Sequence, residues 1–80
     1  MNSLYLLTQH ENGGYDTYDS CVVVALTKED AREISPDGVW SLPNWTAWAY
    51  KPEQVEVKYI GKAAVALEAG TVICSSFNAG

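Results

Sequence analysis

The sequence predicts an α+β fold. The element order is β-β-α-β-β, in a four-stranded, mostly antiparallel sheet with one helix on one face. Three observations carry this. Four β-prone segments are set apart by turn residues. Only one segment, residues 27–34, carries helix start and stop signals. With 80 residues, 48% of them apolar, the chain can bury one core and not two, so residues 1–80 read as a single domain.

The first strand is Leu4-Tyr5-Leu6-Leu7-Thr8, a short apolar run. The polar stretch from Gln9 to Tyr18 follows as a loop, with Asn12-Gly13-Gly14 as its turn signal. Cys21-Val22-Val23-Val24-Ala25-Leu26 is the most β-prone segment, and its unbroken apolar character predicts a central strand covered on both faces. The first two strands then form an antiparallel hairpin.

Thr27 precedes Lys28-Glu29-Asp30-Ala31-Arg32-Glu33-Ile34 and can cap a helix, with Asp30 in the place usually held by Glu or Gln in a capping box. Glu29 and Asp30 suit the positive end of the helix dipole. Ala31 and Ile34 are expected to face the sheet, and Ser35-Pro36-Asp37-Gly38 ends the helix.

Residues 39–52 hold all three tryptophans and are interrupted by Pro43 and Pro52. They read as a loop with a short strand at 46–50. Gln54-Val55-Glu56-Val57-Lys58-Tyr59-Ile60 alternates, with Val55, Val57 and Tyr59 on one face and Glu56 and Lys58 on the other. Ala63-Ala64-Val65-Ala66-Leu67 is compatible with a helical turn or with an extension of that strand. Thr71-Val72-Ile73-Cys74-Ser75-Ser76-Phe77 is the last strand.

Composition excludes several function classes. Ten acidic residues against five basic ones give a net charge of −5, which disfavours phosphate-backbone contacts and hence nucleic acid. The charge is dispersed, so a nucleic-acid mimic is also disfavoured. No apolar run reaches the length of a membrane span, and the N-terminus lacks the features of a signal peptide. The cytoplasm is the expected location. Cys21 and Cys74 have no CxxC neighbour and read as two reduced thiols, although adjacent strands would also allow a bridge.

Catalysis finds little to work with. His10 is the only histidine and reads as a solvated loop residue. No phosphate-binding glycine motif is present. His10, Glu11, Asn12, Asp16 and Asp19 gather oxygen and nitrogen donors in one loop, but their spacing does not match a calcium loop. The expectation is a non-enzyme with no cofactor and no metal. Asp16 and Asp19 are expected to accept turn hydrogen bonds.

Two aromatic segments remain. Gly14-Tyr15-Asp16-Thr17-Tyr18-Asp19-Ser20 contains two Tyr-Asp units three residues apart, and loop tyrosines give large contact area at low entropy cost. Trp40, Trp45, Trp48 and Tyr50 fall within eleven residues. These tryptophans can cover the sheet face opposite the helix, or form an exposed patch that binds a partner or a second copy. The expected binding residues are Tyr15, Asp16, Tyr18, Asp19, Trp45 and Trp48.

Leu4-Tyr5-Leu6-Leu7-Thr8-Gln9, then Gly14-Tyr15-Asp16-Thr17-Tyr18-Asp19-Ser20-Cys21-Val22-Val23, and finally Ser76-Phe77-Asn78-Ala79-Gly80 resemble a family of small uncharacterised proteins from tailed bacteriophages and prophages. The segments 27–32 and 55–61 also fit, and the tryptophan segment is not covered. The resemblance implies a biological setting and no mechanism. By analogy with other phage accessory proteins, it implies a protein that binds a host factor, as in host takeover or anti-defence. The alternative reading is a protein that sequesters a small molecule or nucleotide, with aromatic rings stacking a base.

Overall fold

The computed structural model describes residues 2–13, 16–36 and 47–78. Its elements are β1 (Ser3–Thr8), β2 (Thr17–Ala25), α1 (Lys28–Arg32), β3 (Glu56–Lys62) and β4 (Val72–Asn78), with a 3-10 turn at Pro52–Gln54. The strands form one sheet in the order β3-β1-β2-β4. Every neighbouring pair is antiparallel, as the sequence predicts. Among the described residues no helix is long and apolar enough to cross a membrane.

One face of the sheet carries the core. Tyr5 lies opposite Val23 and Leu7 opposite Cys21, and all four are buried. Ala31 of α1 packs on this cluster together with Trp48, Ala49 and Val55. On alternate positions Leu4, Leu6 and Val22 are only half-buried. The expectation that the central strand is covered on both faces therefore holds for Val23, Val24 and Ala25 but not for Val22.

Thr27 caps α1 as expected, its hydroxyl oxygen accepting from the Asp30 N–H at 3.1 Å. The helix ends at Arg32, two residues short of the predicted Ile34. The Ile34 N–H bonds to the Ala31 carbonyl at 3.1 Å, a 3-10 type closure that tightens the last turn before Ser35-Pro36. Ile34 still packs against the core.

Several boundaries differ from the sequence reading, and β3 starts at Glu56 rather than Gln54 because Pro52–Gln54 is taken up by the 3-10 turn. The central strand begins at Thr17 rather than Cys21, because the polar residues 17–20 find ladder partners on β4 and β1. β3 runs on through Lys62 before the chain turns at 63–67, where the Leu67 N–H bonds to the Ala64 carbonyl. Residues 47–50 form bends and not a strand. There Gln54 Oε1 takes up the N–H groups of Tyr50 at 3.0 Å and Lys51 at 3.3 Å, so the backbone donors are satisfied without a sheet partner. Gly70, at φ 95, occupies a conformation that favours glycine, and its N–H bonds to the Val24 carbonyl at 2.8 Å, tying the last loop to the sheet.

Candidate functional site

The residues singled out in the Tyr-Asp segment meet the C-terminal strand. The β2–β4 register sets Thr17 against Asn78, Tyr18 against Phe77 and Ser20 against Ser76. The register shifts between Tyr18 and Ser20, so Asp19 is the extra residue of a bulge. Tyr18 and Phe77 rings stand 4.8 Å apart between centroids, tilted by 56°. Tyr18 is half-buried against the core, while Phe77, Ser76 and Asp19 are exposed. The result is an exposed Phe77 ring resting on Tyr18, with Asp19 the next residue along β2 and Ser76 the preceding residue of β4.

The base of this corner is held by backbone bonds. The Tyr18 N–H donates to the Ala47 carbonyl at 2.7 Å. Gln9 is buried, and its Nε2 donates to the carbonyls of Tyr18 and Asn12, each at 2.8 Å. Its Oε1 accepts from the Asn12 N–H at 2.8 Å, and its own backbone N–H donates to the Asp19 carbonyl at 3.1 Å. Asn12 Nδ2 in turn donates to the Trp48 carbonyl at 2.9 Å. Gln9 and Asn12 thus fix the first loop to both β2 and the 47–50 segment. Sequence reasoning missed the role of Gln9. Its one signal was a polar residue directly after an apolar strand, which most loops share.

Asp16 has φ 59, a left-handed conformation that Asp tolerates better than most residues. It leads the chain into β2. Tyr15 and Trp45, and with them Trp40, lie outside the described residues.

Trp48 does not line this corner as an exposed anchor. It is fully buried, with Ala47, Ala49 and Val55 buried around it. Among the described residues the one α-helix over the sheet has five residues, and the indole supplies much of the bulk the core needs. Trp48 is therefore core and not surface, but it packs in one cluster with Ala31 of α1, on the helix's face of the sheet and not on the opposite face as the sequence reading has it, because the short helix leaves that face uncovered.

The other chemistry candidates are dispersed. His10 Nε2 is 3.8 Å from Glu56 Oε2, and both side chains are about three-quarters exposed, at 74% and 75%. Such a pair contributes little to stability. No metal-holding group of His, Cys, Asp and Glu occurs among the described residues. Both cysteines are free, Cys21 buried and Cys74 exposed. Burial pushes the Cys21 thiol up from the usual 9.0 to about 12, with a smaller contribution from nearby Cys74. A protonated thiol is a poor nucleophile. A separate cavity of about 490 Å³ lies at the far end of the sheet, lined by Asn2, Lys62, Ala63, Ala64, Val65 and Leu67.

Comparison with known proteins returns no match. No family model fits the sequence, no curated protein is significantly similar to it, and no solved structure significantly matches the fold. The functional reading therefore rests on the corner itself.

Proposed function

We propose that the chain is a non-enzymatic binding protein whose Tyr18–Asp19–Phe77 corner engages a protein partner. The observation that carries this is the aromatic pair: Phe77 is 47% exposed, yet its ring rests on a tyrosine whose backbone is hydrogen-bonded from two sides. A pre-positioned aromatic surface loses little entropy on binding, and aromatic side chains dominate interface hot spots. Asp19, exposed and next to Tyr18 in the chain, adds a charge that a basic or hydroxyl-bearing partner group can meet. In the setting implied by the phage-family resemblance, the partner is a host protein in the host cytoplasm, and the chain is an accessory factor of host takeover or anti-defence.

The test is capture from host lysate with the wild-type protein, Phe77→Ser and Asp19→Lys in parallel. A host protein retained by the wild type and lost from both variants supports the reading. Identical recovery by all three, or recovery of nothing, overturns it.

The second reading, sequestration of a small molecule, draws on the 490 Å³ cavity, whose size falls in the range of ligand pockets. Its lining is aliphatic apart from Asn2 and Lys62 and has no aromatic ring to stack a nucleobase. A thermal-shift screen separates this reading from the first, since a specific ligand raises the melting temperature by mass action.

A further inference from the structure

The two edges of the sheet are unlike each other. β3 carries Glu56, Lys58 and Lys62, and its pairing with β1 is interrupted where Tyr5 lies opposite Tyr59 and Leu4 opposite Gly61. Charges and bulges are the usual protection of an edge strand against pairing with another chain. β4 reads Val-Ile-Cys-Ser-Ser-Phe-Asn and has no charged residue over its seven positions. Among the described residues it has β2 on one side and no strand on the other. From Ile73 to Phe77 every residue is exposed. It has one irregularity, at Ile73 near its start, and Cys74, Ser75 and Ser76 then pair with successive residues of β2.

We infer that β4 is a self-pairing edge, joining two copies of this chain through antiparallel β4–β4 hydrogen bonds into one eight-stranded sheet. The occupant is a second copy because the strand is complementary to itself. In the antiparallel register centred on Ser75, Ser75 faces Ser75 of the second copy and Cys74 faces its Ser76. Ile73 faces Phe77 of the second copy, so the two exposed apolar side chains of the strand, 44% and 47% exposed, cover each other. Each chain carries a net charge of −5, and any charge on this strand would meet charge of the same protein. The strand that holds no charge is the one on which two such molecules can approach. Ile73 of the second copy also extends the Tyr18–Phe77 row by one side chain. The pairing rests on β4 alone, but it shares Phe77 with the partner reading: pairing of two copies covers the ring that a partner would meet, so the two states compete for that residue.

The test combines oligomeric state with site-directed cross-linking. Sedimentation of the wild-type protein across the micromolar to millimolar range is expected to show a dimer. Ser75→Lys, which sets two like charges opposite each other at the two-fold axis, is expected to give a monomer with an unchanged far-UV spectrum. Ser75→Cys in a Cys74→Ser background is expected to form a disulfide-linked dimer under mild oxidation. Wild-type Cys74 is expected to cross-link poorly, because its equivalent sits at a diagonal position roughly 7–8 Å away. A wild-type monomer throughout the range overturns the inference. So does a Ser75→Lys dimer, or cross-linking at Cys74 without cross-linking at Ser75→Cys. If Ser75→Lys fails to fold, the cross-linking pair still decides. Host-protein capture in the lysate experiment is read separately, so either proposal can fail alone.

Discussion

Tyr18 and Phe77 pair across the β2–β4 ladder with ring centroids 4.8 Å apart, joining the first loop's Tyr-Asp segment to the C-terminal strand. The pair contributes to stability as well as to the proposed surface. A double-mutant cycle with Tyr18→Ala and Phe77→Ala, followed by urea unfolding, is expected to give a coupling of about 0.5–1.5 kcal/mol. Additivity of the two changes would show that the rings do not support each other.

Trp48 is a core residue. Trp48→Ala should destabilise the fold by about 3–5 kcal/mol, a large share of the stability of so small a domain. The loss appears as a lowered urea midpoint. A Trp48→Ala protein with an unchanged midpoint would contradict the packing described.

Gln9 satisfies two carbonyls and one N–H with a single side chain. Gln9→Leu leaves those groups short of partners and is expected to cost about 1–3 kcal/mol. Hydrogen exchange should quicken at Asn12, whose N–H loses its acceptor. Unchanged exchange at Asn12 would argue against this network.

Cys21 and Cys74 should differ in reactivity. At pH 8 a thiol reagent is expected to label Cys74 rapidly and Cys21 only after denaturation, as counted by intact mass. Raising a thiol's pKa on folding also links it to stability. Between the usual 9.0 and about 12 the folded state keeps the proton that the unfolded state has lost. The stabilising effect is full below pH 9, and stability falls as pH rises above it, by up to about 1.4 kcal/mol per pH unit. Comparing wild type with Cys21→Ala from pH 8 to pH 11 isolates this slope. Parallel pH dependences would contradict it.

Much of the fold was legible because local signals agreed with the final packing. Val22-Val23-Val24 had to be a strand, and Thr27 with Asp30 had to open a helix. The antiparallel hairpin followed from a polar loop between two apolar runs. Strand order was not legible, since it depends on pairings such as Cys21 with Ser75 that no local pattern encodes. Thr17 to Ser20 read as loop because polar residues hide a strand whose partner lies far along the chain. The site was legible in part. Tyr18 and Asp19 were found from their own spacing, whereas Phe77 entered only as the end of a strand. Trp48 could be assigned to surface or core only through the alanines and Val55 around it, which come together in three dimensions.

The central claim is that this protein meets its partner at the Tyr18–Asp19–Phe77 corner. Hydrogen exchange on the free protein and on its complex with the captured host protein tests it most directly. The account predicts slowed exchange concentrated in residues 17–20 and 72–78, with residues 63–67 unchanged. Protection confined to residues 63–67, with the corner unaffected, would contradict it.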